Sequence, residues 1–155
     1  SKGFELVSWM NGEVRHNFHR SEGKSNADNS IEIKRVLFVM GAILDLENSL
    51  RGTAGATQKA TYGITMAKRS AKGLAKLKQI QGIVPIAELE TILKIVDKKM
   101  LRLNNREELL GIADKVAEQG RLFATNANDV SALAALDKYI AIPERYKGEV
   151  YESSK

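Results

Sequence analysis

The fold of this chain is decided by the stretch RGTAGATQKATYGITMAKRSAKGLAKLKQI, which runs from Arg51 to Ile80. It contains seven Lys or Arg residues, and no Asp or Glu occurs anywhere between Glu47 and Glu88. Small side chains recur along it every three or four residues, which is the repeat of one face of an α-helix. The stretch therefore predicts a basic helix over residues 56–81 that a neighbouring backbone can approach closely.

Two stripes run along this predicted helix. The core stripe is expected, at spacings of four and three residues, at Ala60, Ile64, Ala67, Ala71 and Leu74. A row of cations lies beside it on the helical wheel, at Lys68, Arg69, Lys72 and Lys76. At a rise of 1.5 Å per residue this basic row is roughly 12 Å long. We predict that it is a partner-binding surface.

The same periodicity extends on both sides of the basic helix. It predicts further helices at 29–50, 85–103 and 105–123 and a short fifth one at 130–140. Asn29 with Glu32, and Asn105 with Glu108, have the spacing of a capping box. Four main helices joined by short links predict an all-α fold, an up-down four-helix bundle.

The 155 residues favour a single domain. Residues 1–29 show no sustained period and are predicted to be an irregular N-terminal arm, in which a short strand is compatible with 4–9. The bundle is assigned to residues 30–143 and a polar C-terminal tail to 144–155. We expect a partner to keep both arms ordered. The chain has no Cys, so no disulfide and no thiolate site can form.

Few residues have the pattern of a catalytic, metal or membrane site. The chain has no P-loop, nucleophile elbow or H-E-x-x-H motif, so we expect neither an enzyme nor a cofactor. His16 and His19 are weak metal candidates that would need further ligands, such as Glu13 or Glu22. The longest apolar run, residues 36–44, is far shorter than the roughly 18 residues that read as a membrane span.

The positive charge is local. The net charge is +5, but residues 48–87 carry +7, and the remaining 17 bases face 19 acids. A basic row of this kind suits an acidic protein surface of a larger or membrane-associated complex, or, with less support, nucleic acid. In a structural interpretation the row is neutralised within the fold by acids of other helices, such as Glu88, Glu90, Asp97 or Asp114.

An irregular arm of about 30 residues followed by a cysteine-free, basic helical bundle resembles the PsbQ-like extrinsic subunits of photosystem II. That resemblance implies a subunit that docks on a membrane complex from the thylakoid lumen. The plan also resembles bacterial periplasmic four-helix sensor domains, although both ends here are polar. A chain that starts at Ser1 suits an organelle lumen or periplasm after removal of a targeting segment, or else the cytoplasm.

From these observations we expect a non-enzymatic interaction subunit that docks through its basic helix on an acidic surface. The alternatives are a PsbQ-like subunit, a nucleic-acid-binding helical protein and a four-helix sensor domain. Salt dependence separates the first from nucleic-acid binding, because affinity for phosphates falls steeply as salt rises.

Overall fold

A computed structural model describes residues 5–13, 22–57, 60–127, 130–140 and 149–151 of the chain. Four α-helices form its framework, namely α1 (Ile31–Ala54), α2 (Thr61–Ile83), α3 (Ala87–Ile95) and α4 (Arg106–Asn126). Three shorter helices accompany them: a π-helix at Ser8–Glu13 and 3-10 helices at Lys98–Met100 and Ala132–Tyr139. No β-strand occurs among the described residues. The predicted all-α bundle is confirmed.

The chain divides into two compact units, and α1 belongs to both. One unit comprises Ser1–Gly41 and Val130–Lys155, and the other comprises Ala42–Asp129. The division falls inside α1, and the predicted arm, bundle and tail stay a prediction.

In the unit 42–129, α1 and α2 are antiparallel. A Cβ added at Gly73 of α2 would lie 3.4 Å from the Cβ of Leu46 in α1. A Cβ added at Gly52, further along α1, would lie 2.8 Å from the Cγ of Met66, which precedes Gly73 in α2. Residue numbers thus rise along one helix where they fall along the other.

The remaining helices of this unit close the bundle. α3 contacts both α2 and α4. The Asn126 amide at the end of α4 donates a 2.9 Å hydrogen bond to Glu88 at the start of α3, so these helices are antiparallel as well. Arg51 of α1 forms an ion pair of 2.8 Å with Asp114 of α4. Each helix therefore contacts two others, in the order α1, α2, α3, α4 and back to α1.

Aliphatic side chains fill the core of each unit. In the unit 42–129 the buried set includes Ile43, Leu46, Leu50, Leu74, Leu77, Ile80, Leu89, Ile92, Leu109, Val116 and Phe123. In the other unit it includes Val7, Phe38, Val39, Leu133, Leu136 and Ile140. Burial of these side chains removes apolar surface from water, which is the main favourable contribution to folding.

The two predicted capping boxes do not form. The Asn29 side chain is buried and donates to Asn11 Oδ1 at 2.7 Å instead of capping a helix. α1 begins two residues later, where the Ile33 amide lies 3.5 Å from Ser30 Oγ. The Asn105 amide donates to the carbonyl of Met100 at 2.9 Å and makes no cap bond to α4. Both asparagine side chains therefore form hydrogen bonds outside the helix ends that they were predicted to cap.

The third helix is shorter than predicted. α3 stops at Ile95, and Val96 is extended, with φ −97° and ψ 110°. The Asp97 side chain then accepts a 2.9 Å hydrogen bond from the Lys99 amide and starts a 3-10 turn. An Asp that bonds to a nearby backbone amide competes with helix continuation, so the prediction to residue 103 was wrong. The short fifth helix is present as a 3-10 helix.

The described parts of the N-terminal arm are built into their unit. Val7 and Asn11 are fully buried, and residues compatible with a strand begin a helical turn. Leu6 approaches so closely that a Cβ at Gly41 of α1 would lie 2.6 Å from the Cβ of Leu6. The Tyr151 amide donates to Asn26 Oδ1 at 2.7 Å. Described residues of the arm and the tail therefore contact each other.

Candidate functional site

The buried face of α2 is not the predicted one. Its buried residues are Gly63, Ser70, Gly73, Leu74, Leu77 and Ile80. Of the predicted core stripe only Leu74 belongs to this set, while Ala67 and Ala71 are half-buried and Ala60 and Ile64 are exposed. The helix is rotated by about 100°, one residue position, from the prediction. Large aliphatic side chains near its end gain more from burial than alanines do, and they set the rotation.

A close approach of α1 and α2 does occur, through a different set of small residues. Gly73 lies against Leu46, and one turn earlier Ser70 Oγ lies 3.3 Å from Thr53 Oγ1. Each buried hydroxyl also bonds within its own helix, Ser70 to the carbonyl of Met66 and Thr53 to that of Ser49. Both hydroxyl groups are thus satisfied where the two helices come close.

The opposite face of α2 carries the exposed lysines. We call it the lysine face; it comprises Thr61, Ile64, Lys68, Lys72, Ala75 and Gln79, all of them exposed. Lys68 and Lys72 stand one turn apart at its centre. Neither lysine forms an ion pair with any residue in the described part of the chain. These two ammonium groups are therefore available to a partner.

The predicted basic row is split by the structure. Arg69 turns toward α1, where its Nε donates to Asp45 Oδ1 at 2.6 Å. Lys76 is half-buried at the edge of the lysine face. Only Lys68 and Lys72 of the four predicted residues project fully from the bundle. Arg69 acts instead as a link between two helices.

Arg51, the other arginine of the acid-free stretch, is also paired within the fold. Its Nη2 donates to Asp114 at 2.8 Å and its Nε to Glu47 at 2.9 Å. The hydrogen bond to Asp114, and after it that to Glu47, raises the pKa of Arg51 above its ordinary value. The local charge of +7 is thus partly neutralised by acids that the sequence places outside the stretch.

The acids proposed to neutralise the row have other partners. Asp114 pairs with Arg51, and Glu88 accepts the Asn126 amide. Glu90 pairs with Lys94 at 2.6 Å, and that hydrogen bond lowers the pKa of the Glu90 carboxyl. Sequence reasoning missed Asp45, the acid that binds Arg69. It precedes the acid-free stretch in α1, and only the packing of α1 on α2 brings it to Arg69.

The single aromatic residue of α2 lies away from the lysine face. Tyr62 is 60% exposed, but its hydroxyl would lie 3.1 Å from a Cβ on Gly52 of α1. On the helical wheel it stands about a third of a turn from Lys68. The lysine face therefore has no aromatic ring on which a base could stack.

No metal site can be built from the residues that the structure describes. They include no group of three or more His, Asp or Glu residues suited to hold an ion. The weak candidates His16 and His19 lie outside the described residues. None of the described helices combines the length and the apolar character that crossing a membrane requires.

Comparison with known proteins does not place the chain in a family. No protein family, no curated protein and no solved structure matches it. The predicted resemblance to PsbQ-like subunits and to sensor domains therefore stays a prediction. The lysine face is the surface from which a function can be argued.

Proposed function

We propose that this protein is a non-enzymatic helical-bundle subunit that docks through the lysine face of α2 on an acidic surface of a larger assembly. The observation that carries the proposal is the exposure of Lys68 and Lys72, one turn apart, on a helix that contains no acid. Like charges at this spacing repel by a few tenths of a kcal/mol. An acidic partner would remove that repulsion and gain two attractive contacts.

The contrast with α4 argues against an ordinary solvated face. The exposed side of α4 mixes signs, with Glu107, Lys115, Glu118 and Arg121 all exposed. Such mixing places charges of both signs within α4 itself. The lysine face lacks this balance, because the two arginines that have acids beside them, Arg51 and Arg69, point elsewhere.

Nucleic acid is a less suitable partner than an acidic protein. Binding to single strands usually combines cations with aromatic rings on which bases stack. Here Tyr62 is directed toward Gly52 and the exposed cations are lysines, which lack the planar fork that reads a guanine edge. The lysine face therefore suits carboxylates that meet two ammonium groups about 6 Å apart along the helix.

Charge reversal on the lysine face tests this proposal. The variant is Lys68→Glu with Lys72→Glu, and the matched control is Lys98→Glu with Lys99→Glu, the same change at two other exposed lysines. Wild type and both variants are cross-linked in an extract of the source cells, and captured proteins are identified by mass spectrometry. Association with the captured protein is then measured at low and high salt.

We expect the control to bind like wild type and the lysine-face variant to associate more slowly. The difference in association rate should shrink as salt rises. Exposed charges at an interface mainly accelerate association by attracting the partner, and salt screens that attraction. Equal binding by all three proteins would refute the proposal. A steep loss of wild-type binding after nuclease treatment would favour the nucleic-acid alternative instead.

A further inference from the structure

The acids on the exposed side of α4 form a stripe along its centre, and Lys115 and Arg121 lie on either side of it. We call it the acidic face; it comprises Glu107, Gly111, Asp114, Glu118 and Leu122, all of them exposed. The opposite side of α4 is buried through Leu109, Val116 and Phe123. A Cβ added at Gly111 would meet no atom within 4 Å, so the centre of the face is open.

The two faces match in spacing as well as in charge. When the helices are placed antiparallel, each step along α2 is matched by an equal step backward along α4. The residues then opposite one another are Ile64 and Leu122, Lys68 and Glu118, Lys72 and Asp114, and Ala75 and Gly111. These four pairs extend over roughly 16 Å at 1.5 Å per residue.

The same register brings apolar and small residues together. The cations Lys115 and Arg121 of α4 flank the acidic face and lie outside these four pairs. Two exposed aliphatic side chains, Ile64 (39%) and Leu122 (43%), meet at one end of the register. The smallest residues meet where the helix axes can come closest.

We infer that the lysine face of one molecule docks antiparallel on the acidic face of a second copy of this chain. This inference rests on the proposed function and names its acidic surface. Asp114 already accepts a bond from Arg51 through Oδ1, which leaves Oδ2 as an acceptor for Lys72. Glu118 forms no ion pair with a described residue and can accept from Lys68.

The two faces cannot meet within one molecule. α2 contacts α1 through Gly73 and also contacts α3, while α4 contacts α3 and reaches α1 through Asp114. α2 and α4 are therefore not neighbours in the ring of helices, and their exposed faces do not meet. The contact is therefore between molecules and head-to-tail, and each copy keeps one unused face. An interface of this type builds open chains or rings, not a closed two-fold dimer.

The contact is expected to be weak and sensitive to salt. Its ion pairs are exposed to solvent, where each contributes little and is screened. A single pair of helices also buries less surface than a permanent interface. Self-association should therefore appear as a concentration-dependent increase in size and should decline with added salt.

Sedimentation velocity on two complementary variants tests the inference. Lys68→Glu with Lys72→Glu inactivates only the lysine face, and Glu118→Lys inactivates only the acidic face. We expect each variant alone to raise the dissociation constant about tenfold or more, because attractive pairs become repulsive. The mixture of the two should associate more strongly than either variant alone, since one intact face remains on each molecule.

Three further variants sharpen the test. Glu118→Lys combined with Lys68→Glu in one chain restores an opposite-charge pair and should recover part of the assembly. Lys98→Glu with Lys99→Glu, and Glu149→Lys, make the same charge changes at other exposed residues and should assemble like wild type. Circular dichroism melting of each variant shows that it is folded.

The inference is overturned if wild type stays monomeric at every concentration, or if Glu118→Lys assembles like wild type. It is also overturned if the mixture associates no more strongly than either variant alone. In the cross-linking experiment above, Glu118→Lys separates the two proposals. If it keeps a different captured partner that the lysine-face variant loses, the docking function stands and self-association is wrong.

Discussion

The two faces of α2 use different residues for different purposes. The face toward α1 is made of Gly73, Ser70 and aliphatic side chains, and it brings two backbones together. The opposite face presents Lys68 and Lys72 to solvent. Arg69 lies between them and pairs with Asp45. The positive charge of this helix therefore has two parts: an arginine that pairs with α1, and lysines that are exposed to solvent.

Arginine and lysine are sorted by their chemistry. The guanidinium is planar, less strongly hydrated than an ammonium, and suited to bidentate pairing with a carboxylate. Arg35 illustrates this with bonds of 2.8 and 2.7 Å to the two oxygens of Asp137, which join α1 to the last 3-10 helix. The strongly hydrated ammonium groups of Lys68 and Lys72 stay in water. In these pairs the arginines link helices, whereas the lysines of the lysine face remain exposed.

The largest effect is expected from a bulky side chain on the face toward α1. Gly73→Leu should lower the free energy of unfolding by about 1–3 kcal/mol, because its Cβ would already touch the backbone of Leu46. The control is Gly82→Leu in the same helix, where a Cβ meets nothing within 4 Å. That change should stabilise by up to about 1 kcal/mol through helix propensity. Urea denaturation measures the free energy of unfolding of both variants. An equal change in the two variants would show that Gly73 does not face α1 and that α2 is rotated differently.

A smaller effect is expected at the boundary between the faces. Arg69→Ala should destabilise the protein by about 1 kcal/mol, since it removes the ion pair to Asp45 and the packing of the aliphatic stem. Lys72→Ala, one turn away on the lysine face, should change stability by less than about 0.5 kcal/mol. The same denaturation series compares them. A larger loss at Lys72 would mean that the lysine face has a structural role.

The sequence was sufficient to predict that α1, α2 and α4 exist, because the apolar residues of each helix recur with a sustained period of 3.6 residues. It was insufficient for the rotation of α2. Alanines at 60, 67 and 71 repeat as regularly as the true core residues, and periodicity alone cannot rank the two stripes. It also misplaced helix ends, since Asn29 and Asn105 have capping spacing but bond to Asn11 and to the Met100 carbonyl.

The candidate site was predictable only in part. Counting charges located the acid-free stretch and, within it, Lys68 and Lys72. It could not show that Arg69 would reach Asp45, because that contact depends on the packing of α1 against α2. The acidic face of α4 also escaped notice. Its acids alternate with bases in sequence, and they gather on one side only when the helix is formed.

An acid titration extends the comparison to the Arg35–Asp137 pair. The hydrogen bond from Arg35 lowers the pKa of Asp137 below its ordinary value. A carboxyl group with a lowered folded-state pKa stabilises the protein above its unfolded pKa, about 4, and this contribution is lost as pH falls through the folded value. Asp137→Asn should therefore be less stable than wild type near neutrality and should converge with it at acid pH. Denaturation between about pH 2 and 6 measures this, and parallel curves would contradict it.

The smallest stability effect is the most informative about the lysine face. Lys68→Glu replaces a repulsive pair one turn apart with an attractive one, in which the new carboxylate precedes Lys72 in the favourable orientation. It should raise the free energy of unfolding by about 0.2–0.5 kcal/mol at low salt, and the gain should vanish at high salt. The same variant should bind an acidic partner more weakly than wild type. A residue that lowers stability yet strengthens association is serving the partner and not the fold. Should Lys68→Glu destabilise the protein instead, the ammonium group must have a structural role, and the proposed docking function would lose its main support.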